Sequence, residues 1–359
     1  MSAVIAETLP QRYFVAPEVF EEEREKIFAR RWVLVGHQSE VAKAGDFFVA
    51  NVAEESLIIC RDRGHAVRGF YNVCRHRGTR LCEEERGHAA AIQCPYHAWT
   101  YGLDGRLVGA PHMGEVSGFD AAAFSLHPVK LGLWEGFIFV NLADDPIPLE
   151  DWFAPLHGKF SPWNLPDLRP ARRVVYDVKA NWKLMFENYA ECYHCPGVHP
   201  MLSKVSPYDS AENDLTEGPF LGGFMKINAG KSLTMSGNAC AAFVGQIENL
   251  HEVFYYSIFP NMLLSLHPEY VMVHQLWPQS PGRTVIICDW LFHPDAFDRP
   301  DFKPEDAIEF WDVTNKQDWH VCELSQQGIG SRAYEPGPYS SRESIPAAWD
   351  REYLRQLSH

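Results

Sequence analysis

A chain of 359 residues, 46% of them hydrophobic, is long enough to bury a large core and suggests two domains. Its formal net charge of −15 argues against nucleic-acid phosphates as partners and mildly favours a cationic small molecule or a basic partner surface. The acidic N-terminal stretch is neither a secretory signal nor a membrane span, and no later run reaches the roughly 18 apolar residues of a transmembrane helix, so a cytoplasmic protein is expected.

In chain order, Pro17 to Trp32 predicts a helix, with Val19, Phe20, Ile27 and Phe28 at near-helical spacing among Glu and Arg. From Val35 to Val140, short apolar runs (Phe47–Val52, Ser56–Arg61, Ala66–Asn72, Phe137–Asn141) alternate with Gly and Asp-Gly turns such as Asp104-Gly105. That is the texture of a small all-β domain. Residues 145–170, rich in Pro and Trp, read as a linker. Beyond them Arg173–Val178 predicts a strand and Trp182–His194 a helix that ends before Pro196. Val253–Ile258, Met262–Leu266, Tyr270–Trp277 and Thr284–Phe292 predict successive antiparallel strands with turns at Asn261 and Pro281-Gly282. Pro304–Gln327 predicts a long helix. The expected plan is α+β: an N-terminal helical segment over 1–34, an all-β domain over 35–145 and a mixed domain over 146–359.

The nine cysteines are an odd number in a chain without an export signal, which predicts reduced thiols or metal ligands rather than a disulfide framework. Four residues stand out: Cys74 and His76 in one short segment, then, after seventeen intervening residues, Cys94 and His97 in another. Two Cys and two His can bind a tetrahedral zinc ion. They can equally hold a [2Fe–2S] cluster, with the thiolates on one iron and the imidazoles on the other. Cys60 and Cys82 read as small buried hydrophobes, and His65, His88 and His112 as solvated turn residues.

The context of the four ligands, Tyr71-Asn72-Val73-Cys74-Arg75-His76-Arg77-Gly78 and Cys94-Pro95-Tyr96-His97-Ala98-Trp99-Thr100-Tyr101, closely resembles the Rieske non-haem iron oxygenases, over about Val35 to Leu142. The resemblance implies a [2Fe–2S] cluster on Cys74, His76, Cys94 and His97. One departure is Ala98, where the family usually has Gly. Ala is small and is expected to be tolerated.

A second motif runs from Glu187 to His199. On a continuous helix five residues turn about 500°, so His194 and His199 would not share a face. Pro196 and Gly197 end the helix and let the chain fold His199 back towards His194. Two His near one carboxylate, with positions left open, are the facial arrangement of non-haem Fe(II) oxygenases; taken alone, the pair reads better as two structural histidines. The string Glu191-x-Tyr193-His194-x4-His199 is similar to the family's iron site. The resemblance implies Fe(II) on His194, His199 and a distant carboxylate, for which Asp318, in a Gln-Asp context, is preferred to Asp312. It also implies that Glu191 connects the two metal sites. Cys192, Cys195 and Cys322 are read as packing residues.

The resemblance further implies a helix-grip (START/Bet v1-like) catalytic domain, an antiparallel sheet curled around a long helix, and a homotrimer in which one subunit's cluster serves its neighbour's iron. No Gly-x-Gly-x-x-Gly follows a strand, so NAD(P)H and flavin chemistry is assigned to a separate reductase. The stretches Phe259–Pro268 and Asn315–Trp319 resemble the branch that hydroxylates or N-demethylates small methylated amines such as betaine, choline, stachydrine and carnitine. Aromatic faces hold quaternary ammonium groups, and Phe186, Tyr189, Phe254, Tyr255, Tyr256 and Phe259 are available. Phe186, Asn188, Tyr189 and Met262 are the expected pocket residues. The alternatives are oxidation of an aromatic or other apolar compound, a plain Rieske electron carrier, and a zinc-stabilised binding protein.

Overall fold

The computed structural model describes residues 6–242 and 250–358. The chain forms two compact units, one spanning residues 28–157, the other combining the N-terminal residues up to Ile27 with those from Gly158 onward.

The first unit is built from short strands, because its apolar runs are short and end at turn residues. β1 (Val33–His37), β9 (Lys130–Trp134) and β10 (Phe137–Asn141) form one sheet in the order β1-β10-β9. β2 (Asp46–Val52), β3 (Glu55–Arg61), β4 (Val67–Tyr71) and β5 (Arg86–His88) form a second, ordered β4-β3-β2-β5. A third contains β6 (Ile92–Gln93), β7 (Thr100–Tyr101) and β8 (Leu107–Gly109). The predicted turn at Asp104-Gly105 joins β7 to β8. Gly105 sits there at φ +84°, and a Cβ would lie 2.4 Å from the Phe70 ring, so both conformation and space call for glycine.

In the second unit, α1 (Pro17–Glu23) gives way to a wider helical turn over Arg24–Phe28, so the helix stops short of the predicted Trp32. Seven strands make one antiparallel sheet: β11 (Arg169–Val178), β12 (Glu212–Leu215), β13 (Phe220–Lys226), β14 (Glu252–Ile258), β15 (Met262–Leu266), β16 (Val271–Ser280) and β17 (Arg283–Phe292). Their order is β11-β17-β16-β15-β14-β13-β12, an open sheet. α2 (Trp182–Tyr189) and α3 (Pro304–Ile329) pack on one face, through Tyr189 against Ser265, Trp311 against Tyr255 and Trp319 against Tyr176. This is the expected helix-grip plan. α4 (Ser344–Leu357) closes the chain.

Residues 145–170 are not a loose linker. They form a chain of single turns in which Phe153, Phe160 and Trp163 are buried. Phe153 stacks on Trp134 at 4.3 Å in the first unit, while in the second Trp163 donates to the His267 carbonyl at 3.0 Å. Prolines that suggested a linker start these turns instead, at positions where the missing N–H costs nothing.

α2 is anchored by a buried ion pair. Asn181 caps its N-terminus by accepting from the Lys183 N–H. Lys183 Nζ reaches Glu23 Oε1 at 2.5 Å, and Trp182 Nε1 and Tyr353 Oη also donate to that carboxylate, at 2.8 and 2.6 Å. Both carboxylate oxygens of Glu23 are thus engaged, which a buried charge requires.

Candidate metal centres

In the first unit, the two motif segments form matching loops. The Gly78 N–H donates to the Cys74 carbonyl at 3.0 Å, and the Ala98 N–H to the Cys94 carbonyl at 3.1 Å. The Cys74 and Cys94 N–H groups donate to Thr79 and Trp99 carbonyls, both at 2.8 Å. Each loop closes on a left-handed residue, Gly78 at φ +71° and Ala98 at φ +56°. Ala98, expected to be only mildly constrained, therefore occupies a position that disfavours any Cβ.

Cys74 and Cys94 are buried among Trp99, Tyr101 and Leu107, while His76 and His97 lie nearer the surface. The two imidazole centroids are 4.8 Å apart, and His76 stacks on Trp99 at 4.7 Å. His97 Nδ1 is buried with no partner in the protein. Two buried thiols, two imidazoles nearer the surface and an orphaned His97 ring nitrogen fit a [2Fe–2S] cluster with mixed ligation. Tyr101 was not singled out from the sequence, yet its hydroxyl lies 3.3 Å from Cys74 Sγ and accepts from the Arg75 N–H at 3.0 Å. Burial, reinforced by Cys74, pushes the phenol well above its ordinary pKa, so it stays protonated.

In the second unit, α2 ends at Tyr189, five residues before the predicted limit at His194. The cause is Glu191. Its Oε2 accepts from the backbone N–H groups of Tyr193 and His194, offering the chain a local alternative to helix bonds. The resulting bend leads into a single helical turn, Cys195–Val198, that carries the chain to His199. It also brings the Cα atoms of Cys192 and Cys195 to 4.9 Å, within disulfide range, and the structure pairs them, correcting the expectation of free thiols at these two positions.

The bend and α3 bring three groups together. Asp318 Oδ1 lies 2.8 Å from His199 Nε2 and 3.3 Å from His194 Nε2. The other ring nitrogens are engaged behind them: His194 Nδ1 with Glu191 Oε1 at 2.6 Å, and His199 Nδ1 with Gln317 Oε1 at 2.8 Å. Both rings therefore donate backwards and turn Nε2 to a common point, the orientation that metal-binding imidazoles adopt. Burial alone would lower the pKa of His194, but hydrogen bonds to Asp318 and Glu191 outweigh it and push it up to about 10. Burial would raise that of Asp318, yet the two imidazoles hold it below the usual range. Two imidazole nitrogens and one carboxylate oxygen brought to one point form a donor set that fits Fe(II) with open positions. Asp312 faces elsewhere, accepting from Tyr176 Oη at 2.9 Å and pairing with Lys316 at 2.6 Å.

Next to these groups lies a cavity of about 100 Å³. From α3 it is lined by Trp311, Thr314, Asn315 and Asp318, whose spacing of three and four places them on one helix stripe. Of the residues named from sequence, Asn188, Tyr189 and Tyr255 line it. Phe186 and Met262 do not. Phe186 shares the face of α2 that carries Trp182 and stacks on Trp349 at 5.0 Å. Met262 pairs across the sheet with Ile258 and Gln275, whereas the cavity-lining Ser257 and His274 pair with Leu263, so Met262 belongs to the opposite sheet face. Phe254, Tyr256 and Phe259 also lie outside the lining. Among the described residues no Lys or Arg lines the cavity. Trp319 and His274, which do, were not assigned to it from sequence.

Two paired motifs on an all-β unit, and a two-His-one-carboxylate group on an open sheet gripped by a helix, define a Rieske-type non-haem iron oxygenase. Comparison with known proteins agrees. The Rieske [2Fe-2S] domain family matches residues 31–120, and the ring hydroxylating alpha subunit (catalytic domain) family matches residues 165–359. The chain belongs to the catalytic alpha subunits of this family. It is 34% identical to the glycine betaine monooxygenase oxygenase subunit of Chromohalobacter salexigens, over 93% of this chain and 82% of that protein. It is 32% identical to the carnitine monooxygenase oxygenase subunit of Escherichia coli strain K12, over 91% and 85%. The solved structure of a quaternary ammonium Rieske monooxygenase superposes with a TM-score of 0.85 at 28% identity, covering 99% of this chain and 96% of that one. The protein is thus an oxygen-incorporating oxidoreductase that carries a Rieske cluster and a mononuclear iron and receives its electrons from a reductase.

Proposed function

We propose that this oxygenase hydroxylates or oxidatively N-demethylates a small methylated or quaternary amine. In this reading Cys74, His76, Cys94 and His97 hold the cluster, and His194, His199 and Asp318 hold the iron. The observation that carries the substrate reading is the cavity beside these three groups. Its walls include Tyr189, Tyr255, Trp311 and Trp319, with no Lys or Arg among the described residues. Aromatic faces attract a methylated ammonium group, and the absence of Lys and Arg removes what would repel it. The relatives named for glycine betaine and carnitine point the same way.

When bound, the ferrous ion supplies oxygen activation, fed one electron at a time. The protein's own groups do the rest. Glu191 and Gln317 fix the two imidazoles so that each keeps Nε2 forward. The aromatic walls exclude water and orient the methyl group towards the His194–His199–Asp318 side. We further infer a cytoplasmic homotrimer, supplied by a flavin-containing, NAD(P)H-dependent reductase. There Glu191 would join one subunit's iron ligand to its neighbour's cluster ligand by hydrogen bonds.

Substrate-dependent oxygen uptake tests this, run with a reductase on a panel of methylated amines and simple aromatic acids, after assaying for roughly three Fe and two sulfide per chain. Coupled uptake with a methylated amine is expected. Coupled uptake with an aromatic acid and with no amine would overturn the substrate reading. Two Fe and two sulfide would leave a plain electron carrier.

A further inference from the structure

His274 has no assigned role, yet it is the most conspicuous polar side chain on the cavity wall. It stands on β16, opposite Leu263 and Cys288, and is 1% exposed. The Asn315 side chain lies near the ring, yet neither ring nitrogen makes a well-formed hydrogen bond within the protein. Buried polar groups without partners are rare, because each costs the free energy of a lost hydrogen bond. Such a group on a cavity wall is explained if the partner is a ligand.

A second orphan lies beside it. Trp319 packs edge-on against His274 at 5.8 Å, also lines the cavity, and its buried Nε1–H has no acceptor. The Tyr189 ring centroid lies 6.3 Å from that of the imidazole. Burial pushes His274 down to about 4, although Asn315 and the charge of Asp318 favour its protonated form. At neutral pH the ring is therefore uncharged, with one N–H donor and one acceptor lone pair. A cationic side chain here would repel a methylated ammonium. A neutral imidazole and an indole N–H can serve the other end of the same molecule without that repulsion.

We propose that His274, seconded by Trp319, is the polar subsite of the cavity: it hydrogen-bonds the carboxylate or hydroxyl end of the substrate while the aromatic walls hold the methylated nitrogen. This deepens, and rests on, the methylated-amine reading. A carboxylate accepts from the imidazole N–H and the indole N–H, and a hydroxyl can use either side of the imidazole. The site thus selects amines that carry such a group over those that end in a hydrocarbon.

The test is a binding titration by calorimetry on the metal-loaded enzyme with three probes alike at the nitrogen: trimethylglycine, choline and ethyltrimethylammonium. The variants are His274→Leu and His274→Gln, each checked for iron content. In His274→Leu, whichever of the two polar-ended probes binds the wild type should weaken by about 10- to 100-fold, the effect of one hydrogen bond to a charged or strongly polar group. Ethyltrimethylammonium should change by less than about twofold, and His274→Gln should recover part of the loss. Equal weakening of all three probes would make His274 a packing residue and overturn the proposal, as would indifference of the polar-ended probes to the substitution. Failure of all three to bind the wild type would instead overturn the methylated-amine reading, and the subsite with it.

Discussion

Removing one hydroxyl should change the cluster's redox potential without touching a ligand. Tyr101→Phe deletes the phenol that lies 3.3 Å from Cys74 Sγ. With the Cys74 thiol ionised and bound to iron, as proposed, the phenol is the donor. A hydrogen bond to a charged group contributes about 1.5–3 kcal/mol, and reduction adds one negative charge to the acceptor side. If the bond strengthens by about 1–1.4 kcal/mol on reduction, its loss lowers a one-electron potential by about 40–60 mV, since about 59 mV corresponds to a factor of ten. The same substitution strips the Arg75 N–H of its acceptor, so a stability loss of about 1–3 kcal/mol should accompany it. The measurement is a redox titration followed by electron paramagnetic resonance, with iron and sulfide quantified in parallel. A potential that stays within about 10 mV of wild type, or rises, in a cluster-replete variant would refute the reasoning.

Three further substitutions probe other parts of the structure. Glu191→Gln keeps the shape of the bend but weakens the orientation of His194. It should retain both metals and lose about 10- to 100-fold of substrate-coupled oxygen consumption, and wild-type product formation by the metal-replete variant would count against this role. Ala98→Gly relieves a left-handed Cβ worth about 1–2 kcal/mol and adds unfolded-state entropy of about 0.4–1 kcal/mol. The cluster absorbance should therefore persist to slightly higher denaturant, and an earlier loss would contradict the strain. Asp350 is buried and held above the usual carboxylate range, so the folded state binds its proton more tightly than the unfolded chain does. Its contribution is then favourable in acid and is lost as pH rises from about 4, the unfolded value, through the raised one. Asp350→Asn can still accept from Tyr339 and should flatten that fall, gaining melting temperature over wild type near pH 8 but not near pH 4; an equal change at both would exclude ionisation as the cause.

The strands legible in the sequence were those whose apolar residues cluster between turn signals. Met262–Leu266 and Phe137–Asn141 emerge with the predicted bounds, and the four strands from Glu252 to Phe292 are all where expected. β12 and β13 were missed because Glu212–Leu215 is mostly polar and Phe220–Lys226 contains Gly222-Gly223, a pair that reads as a break. Here the glycines are demanded by close approach: a Cβ on Gly223 would collide with the Glu212 carbonyl of the neighbouring strand. α4 went unread although Ile345, Trp349, Tyr353 and Leu357 recur every four residues and are all buried.

The two metal sites differ in legibility for a physical reason. A cluster held by two tight loops needs its ligands close in sequence, so the proposed ligands Cys74, His76, Cys94 and His97 announce themselves by spacing. The proposed iron site is assembled by tertiary structure. His194 and His199 meet only because Glu191 ends the helix early, and Asp318 arrives from another element 119 residues after His199. The cavity is harder still, since nothing local distinguishes a lining aromatic from a core one. Tyr255 faces the cavity and Tyr256, its neighbour, does not, because successive residues on a strand point to opposite faces. One signal was available: Trp311, Asn315 and Asp318 share a helix stripe, so once Asp318 was chosen, that stripe identified a cavity wall. His274 had no such marker. A lone histidine in an apolar strand is ordinarily a satisfied core residue, and what makes this one informative is the absence of partners, a property only the folded structure contains.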